Sequence, residues 1–569
     1  MTKGSSHNAP ALLQLFHVVI LGVFFGISVA VVAHLFVEGV GLLSDLRTQF
    51  PPIQVGPVLL HYGQVITLTI AGLVIYAIKI GLNVARWQGP ADTIYGAHRP
   101  DNELDVKVGL SSTLAAFVSA SGGASVGQYG PLVHFGAVVG SAFKGFLKIR
   151  LSTDVFIGCG VAAAISSGFG APIAGVVFAH EAILRHFSLR AIAPIAIASC
   201  VAAGVGEVFW PEDALFNVEP FAGDLSLILP VFLLLGPIFG VVAVALMQSV
   251  RQTQKFTTRR GLGAASSLSI AVILTSIGGA FVPEALGLGG KTIDGLLDQT
   301  YTPIYILFIF AMKLALTAVC LGFGLFGGIF SPSLVIGASA GAITFFIGHA
   351  LGLDPVYGVG LVICAMAAVS SSVIGAPLAG MMIVLELTGS YEYALLAMVS
   401  IVTSVLTSHL IFGQSFFDKQ LSDRGIDISS GRTGIEMMER CVESIAHKDC
   451  IILPPNCLAQ EAIQSLLKEG STEAYILDHE NRFEGKVTLQ SLISEAPDAP
   501  VTNLLMDDPI FIKSDASLQQ SMEVAVEFVG ESIPIIDEAT NIMIGVVTEA
   551  DLFKDYLSIQ NKIVDLERR

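Results

Sequence analysis

The most constraining feature of this sequence is a change in the length of its apolar runs. Residues 11–36 and 55–85 are each long enough to cross a bilayer as one helix, which takes about 20 apolar residues. From residue 108 the runs shorten to 108–122, 131–146, 155–166 and 170–184, parted by glycine, proline and small polar residues. Hydrocarbon cannot satisfy a free N–H or C=O, so a helix broken at membrane depth has to be buried in protein or to face a polar cavity. The short-run region therefore reads as the interior of a polytopic membrane protein. Further runs at 189–209, 227–249, 264–282, 304–322, 331–350, 354–370, 376–388 and 392–411 complete that body. The first run comes after a short polar start and shows no small-residue cleavage site, so it is read as a retained helix rather than a leader. Residues 86–105, RWQGPADTIYGAHRPDNELD, are polar and are expected to leave the hydrocarbon or approach an aqueous vestibule.

Charge separates this body from the C-terminal tail. Residues 431–569 carry 25 Asp/Glu against 11 Lys/Arg, whereas the preceding 430 residues carry 22 against 19. A nearly neutral membrane body with an acidic soluble tail excludes a basic nucleic-acid surface and leaves lipid as the expected surrounding of the body. The seven cysteines show no CxxC pair, Cys441, Cys450 and Cys457 included, and are expected to be free buried thiols. The twelve histidines are too scattered for a metal centre, and His134 is expected to line helix packing or water. No nucleophile, base and acid converge on a motif, so the chain is not read as an enzyme.

Two of the breaks share a design. Gly127-Gln128-Tyr129-Gly130-Pro131 and Gly327-Gly328-Ile329-Phe330-Ser331-Pro332 each place glycines, then a proline suited to a first helical turn, ahead of an apolar run. Pro131 and Pro332 thus read as helix starts. A helix start presents backbone N–H groups and the positive end of the helix dipole, which together suit an anion without a pore lysine. Lys313, inside the run 304–322, is expected to snorkel or pair, with a contribution to vestibule potential as the alternative. The sequence also repeats: Gly170-Ala171-Pro172-Ile173-Ala174-Gly175 with Glu181 recurs 205 residues later as Gly375-Ala376-Pro377-Leu378-Ala379-Gly380 with Glu386, while Pro131 and Pro332 are 201 apart. Two related halves whose breaks meet near the midplane are expected.

With these motifs, residues 11–424 resemble the CLC family of chloride channels and proton-coupled chloride exchangers. GGIFSP is similar to its GxFxP element, GQYGP to its GREGP element, and SSGFGAPIAGVVFAHE and SSVIGAPLAGMMIVLELTGS to its later paired helix starts. The ending IFGQSFFDKQLSDRGID resembles the family's last core helix and cytosolic exit. The resemblance implies a mainly α-helical polytopic membrane protein with an inverted repeat and broken helices, a homodimer, and one pathway per subunit for chloride and other small anions. It implies that the amides of Ile329 and Phe330 face the central anion, that Gly328 permits close approach, and that Gly127, Gln128, Tyr129 and Gly130 surround the outer end of the pathway.

Departures from the family pattern fall at the positions that would carry protons. The glutamate of GREGP is Tyr129 here, and the inner proton-transfer glutamate is Ala182, next to Glu181, which is expected to make structural hydrogen bonds. A tyrosine hydroxyl, with a reference pKa of about 10, donates to an anion but shuttles protons poorly near neutrality. It can equally serve as an aromatic plug. The GSGIP loop corresponds to Arg86-Trp87-Gln88-Gly89-Pro90, putting Trp87 at the serine position, and the anion-facing tyrosine corresponds to Phe417. Tyr129, Trp87 and Phe417 are therefore the gate candidates.

Residues 433–495 and 500–560 form two modest α/β units, each an amphipathic helix and then short β-rich runs. They resemble a CBS-domain pair, with 545–551, GVVTEAD, as the clearest piece. The resemblance implies Thr548 and Asp551 as candidates for an adenine nucleotide; turn capping and dimer packing are favoured over nucleotide sensing because Ser491 stands at the acidic position of the first unit. The expected function is passive, chloride-selective conduction through a bacterial inner (plasma) membrane, gated by a cytoplasmic tail, with no cofactor required. The alternatives are a secondary active chloride/proton antiporter and a nucleotide-responsive membrane regulator with little flux.

Overall fold

Two glycines in left-handed backbone set the plan of the body. Gly123 (φ 97°) ends one helix and Gly324 (φ 104°), 201 residues later, ends another, and the chain then turns into the two sequence breaks. An L-side chain is strained at such φ, so each helix stops there and not a turn later. The computed structural model describes residues 8–50, 53–55, 58–60, 62–99, 101–144, 152–187, 189–211, 218, 220–506 and 508–568. The polar residues ahead of Asn8, Pro100 in the polar segment and the end of the run 131–146 lie outside them.

The chain divides into two units, Met1–Gly425 and Ile426–Arg569. The first is helical: α1 (Asn8–Thr48), a hairpin of β1 (Ile53–Val55) and β2 (Val58–Leu60), then α2 (Gly63–Gly81), α3 (Pro90–His98), α4 (Val106–Gly122), α5 (Tyr129–Lys144), α6 (Thr153–Phe169) and α7 (Pro172–Phe178). A π-helical turn, Ala179–Leu184, extends α7. The unit continues with α8 (Leu189–Phe209), α9 (Leu225–Arg259), α10 (Ala264–Phe281), α11 (Gly290–Leu297), α12 (Pro303–Phe323), α13 (Phe330–Ala350), α14 (Gly358–Ile374), α15 (Pro377–Thr388), α16 (Tyr391–Phe412) and α17 (Phe416–Ser422). Among the described residues, nine helices are long and apolar enough to span a membrane. The windows of α13 and α14 are 78% and 94% buried within the protein, against 33–44% for the other seven. Apolar sequence around those two helices therefore packs on protein, while the others leave a face for lipid.

The repeat is physical as well as textual. Gly136 and Gly140 let α5 lie on α6: a Cβ at Gly136 would stand 2.2 Å from Gly160 O, and one at Gly140 would stand 2.3 Å from Phe156 O. In the second half Gly337 and Gly341, each 201 residues on, do the same for α13 against α14, with Cβ positions 2.7 Å from Ala365 O and 2.4 Å from Leu361 O. Backbone-to-backbone packing of this kind is what glycines four residues apart allow in membrane helices.

The structure refines three of these readings. The polar segment 86–105 contains a helix, α3, buried for most of its length. Asp92 on it takes Arg86 at 2.6 Å and Arg424 at 2.8 Å, and accepts the Gly89 N–H at 2.9 Å. Lys313 does not snorkel: it is fully buried, and its Nζ donates to Gly287 O at 2.8 Å. The cysteines are free, but only Cys159, Cys320, Cys364 and Cys457 are buried, while Cys200 is exposed and Cys441 and Cys450 are partly so.

The second unit holds α18 (Gly431–Glu439), β3 (Ile451–Leu453), α19 (Ala459–Glu469), β4 (Glu473–Leu477), β5 (Phe483–Thr488), α20 (Leu489–Ile493), β6 (Ile512–Lys513), α21 (Leu518–Val526), β7 (Ile533–Asp537), β8 (Ile542–Val547) and α22 (Glu549–Arg568). Each repeat is a three-stranded sheet, β3-β4-β5 or β6-β7-β8, whose first pair is parallel across a helix and whose second is antiparallel. The tail is thus two repeats of one small α/β unit, with the repeat bounds read from the sequence. Within the first repeat Lys486 and Glu473 form a buried ion pair at 2.6 Å, and the Glu531 N–H of the second repeat donates to Glu473 at 2.9 Å, which joins the two.

Candidate anion pathway

The two breaks meet. Gly127 N–H donates to Gly328 O and Gly328 N–H to Gly127 O, both at 2.7 Å, a two-residue antiparallel bridge between segments 201 residues apart in sequence. Glycine permits the close approach: a Cβ at Gly127 would stand 2.9 Å from Ser331 N, and one at Gly328 would stand 3.1 Å from Gly130 N. Gly127 and Gly328 therefore give their N–H groups to each other and not to an anion. The N–H groups of Ile329 and Phe330 have no protein acceptor among the described residues, as expected for the open end of α13. Two buried polar atoms in the breaks, Gln128 Oε1 and Ser331 Oγ, lack a protein partner among the described residues, as do Trp87 Nε1 and Gln88 Oε1 in the loop before α3.

Pro131 and Pro332 lie in the first turns of α5 and α13, where a missing N–H is harmless. Tyr129, the first residue of α5, is buried, 8% exposed, and its ring stacks on Phe169 at 3.8 Å between centroids and 18° between planes. Phe330 meets both rings edge-on, at 5.5 Å from Tyr129 and 5.3 Å from Phe169. Tyr129 and Phe330 are thus brought together, while the other two gate candidates make their ring contacts elsewhere. Trp87 packs on Phe326, centroids 6.0 Å apart, and buried Phe417 makes its ring contact with Phe416.

Sequence reading missed Phe169. It lies inside the SSGFGAP motif, but nothing in the spacing signals that the last ring of α6 returns to the first residue of α5. Gly168 was the available hint: a Cβ there would stand 2.8 Å from the Tyr129 ring.

Around this core the halves exchange carboxylates. Glu181 accepts the N–H groups of Leu378 and Ala379 at 3.0 and 2.8 Å, and Glu386 accepts those of Ile173 and Ala174 at 2.8 and 2.7 Å. Each half thus neutralises the other's helix start, with every partner displaced by the same 205 residues. His134, on α5, is fully buried, and its Nδ1 lies 2.8 Å from Thr93 Oγ1. Ala182 is buried in the π-helical turn.

In the tail, Thr548 and Asp551 are brought together. Asp551 N–H donates to Thr548 Oγ1 and Thr548 N–H to Asp551 Oδ2, each at 3.1 Å, and His447 Nε2 lies 3.0 Å from the same carboxylate. Thr488 and Ser491 make the same reciprocal cap at 3.2 Å in the first repeat.

Comparison with known proteins places this architecture. The family described as voltage gated chloride channel matches residues 68–409, more than half of the chain. A ClcB-like chloride channel protein of Ralstonia nicotianae is 26% identical over 360 residues, covering 62% of this chain and 83% of that protein. The H(+)/Cl(-) exchange transporter ClcA of Vibrio parahaemolyticus is 25% identical over 435 residues, covering 71% of this chain and 89% of that protein. The crystal structure of a slow cyanobacterial Cl-/H+ antiporter superposes with a TM-score of 0.64 at 19% identity, covering 72% of this chain and 97% of that one. With its bridged helix breaks inside a multi-pass helical body, the chain belongs to the voltage-gated chloride channel (CLC) family.

Proposed function

We propose that this chain moves chloride across a membrane through the space bounded by the two bridged breaks. The observation that carries the reading is the Gly127–Gly328 bridge, which holds the open starts of α5 and α13 against each other. Amide and hydroxyl dipoles replace part of an anion's hydration without the hold of a full charge, which is what turnover requires. Ile329 and Phe330 offer N–H groups there, Tyr129 a hydroxyl, and Trp87 and Ser331 further donors.

Coupled chloride/proton exchange has more support than the passive conduction expected from sequence. The exchange transporter aligns over a larger share of this chain than the channel does, 71% against 62%, whereas passive conduction rests on two replaced carboxylates. Exchange by this chain then needs a proton carrier other than a carboxylate at positions 129 and 182. Buried His134, five residues beyond Tyr129 on the same helix, is the candidate on that helix. The working unit is a homodimer with one pathway per subunit and a cytoplasmic tail, in a bacterial inner membrane. Thr548 and Asp551 form a cap that an adenine nucleotide would have to enter.

Simultaneous chloride and proton measurements on the full chain in liposomes test this. Uphill proton movement driven by a chloride gradient is the expected result. Chloride flux without proton movement returns the reading to passive conduction, and absence of chloride flux overturns transport altogether.

A further inference from the structure

The ring on Tyr129 is held from three sides. Phe169 lies flat beneath it, Phe330 meets its edge, and Gly168 keeps the flank open, since a Cβ there would stand 2.8 Å from Cε1 and 2.9 Å from Cδ1. The three rings come from three different elements: the start of α5, the end of α6 and the start of α13. Phe169 is only 2% exposed, and Gly170, with φ 64°, closes α6 directly after it and fixes where that ring ends up. Phe169 and Phe330 also line a cavity together with Leu334, Ile363, Met366, Ile383, Ser370 and Thr388.

From this we infer that Phe169 is the positioning residue of the gate: by stacking on Tyr129 it holds that ring across the pathway, and loss of the stack shifts the gate toward its open arrangement. The inference rests on the proposed placement of Tyr129 in the chloride pathway and extends it to a residue that touches no anion. Stacked aromatic pairs bias an equilibrium by about two- to tenfold. The flat stack is made with Tyr129, while Phe169 meets Phe330 only edge-on, so the effects of removing either ring of the stack should not add.

Chloride efflux from liposomes containing the full chain tests this with Tyr129→Ala, Phe169→Leu and the double variant, each checked for the elution volume of the parent protein. Tyr129→Ala and Phe169→Leu should both raise efflux, the latter by about two- to tenfold, and the double variant should match Tyr129→Ala alone. Phe169→Tyr, which keeps an aromatic face, should retain the parent rate and show that the effect is not a general loss of packing. If Tyr129→Ala changes efflux and Phe169→Leu does not, the inference is wrong while the pathway stands. Equal effects of Phe169→Leu in both backgrounds also overturn it, because the two rings would then act independently. If Tyr129→Ala leaves efflux unchanged, the placement of Tyr129 in the pathway falls, and the inference falls with it.

Discussion

Replacing Gly136 by alanine should disturb the gate from a distance. The new methyl would stand 2.2 Å from Gly160 O and 2.6 Å from Gly160 C, both backbone atoms in the middle of α6, so no side-chain rotation can relieve the overlap. Restoring an ordinary contact requires α5 and α6 to part by about 1 Å at the crossing, and overpacking of that kind costs about 1–3 kcal/mol. The better helix propensity of alanine offsets at most about 1 kcal/mol. The movement reaches the pathway because α5 begins with Tyr129, about 10 Å along the axis from Gly136 at 1.5 Å per residue, and α6 ends with Phe169. Dispersion contacts lose a quarter to a half of their depth over a gap of about 0.5–1 Å, so the 3.8 Å stack between these rings is within range of the displacement. Thermal unfolding in detergent should show a lowered midpoint, and chloride efflux should change in the direction of Tyr129→Ala. Gly160→Ala should do the same, while Gly41→Ala, where a Cβ meets nothing within 4 Å, should do neither. A Gly136→Ala protein with the parent's midpoint and efflux would refute the argument that the glycine crossing sets the ring geometry.

Glu181→Ala and Glu386→Ala should each destabilise the body by about 2 kcal/mol, the low end for hydrogen bonds to a charged group that is partly exposed; similar losses in thermal midpoint from the two are expected from their matched contacts. In the tail, Lys486→Met leaves Glu473 buried without its cation and should cost about 3–5 kcal/mol, whereas pairing it with Glu473→Leu should recover most of that, read by hydrogen exchange in β4 and β5 of the full chain. For pH, the Thr548 side-chain hydrogen bond, opposed by burial and reinforced by the Thr548 N–H and His447, holds the Asp551 carboxyl below the usual carboxylate range. A depressed folded pKa stabilises above the unfolded value of about 3.9 and is lost as pH falls through the folded value. Exchange protection at the start of α22 should therefore fall on acidification below about pH 4, and Asp551→Asn should flatten that dependence.

The features that could be read from the sequence were those fixed by backbone chemistry. Proline and glycine dictate where α5, α7, α13 and α15 begin, and the 201- and 205-residue offsets carried the pairing of halves before any geometry was known. Side-chain contacts between segments were less legible. The ring of Phe169 on Tyr129 depends on how two helices cross, and the burial of Lys313 depends on a carbonyl, Gly287 O, from a loop that no apolar pattern marks. α3 was obscured because its polar residues satisfy one another inside the fold: Asp92 with two arginines looks, in sequence, like solvent-facing charge. The hairpin of β1 and β2 was absorbed into an apolar run because three-residue strands are too short to show an alternating pattern.

The exchange of carboxylates between halves also sets a schedule for making the protein. The first N–H groups of α7 find their acceptor only at Glu386, 213 residues further along the chain. At about 5–20 residues per second, that carboxylate leaves the ribosome roughly 10–40 seconds after the groups it will receive. Until then a helix start carrying partial positive charge has to wait in or beside the membrane without its partner. The first half is therefore in an unfinished electrostatic state for more than a third of synthesis, and the second half acts on it as a late-arriving chaperone encoded in the same chain.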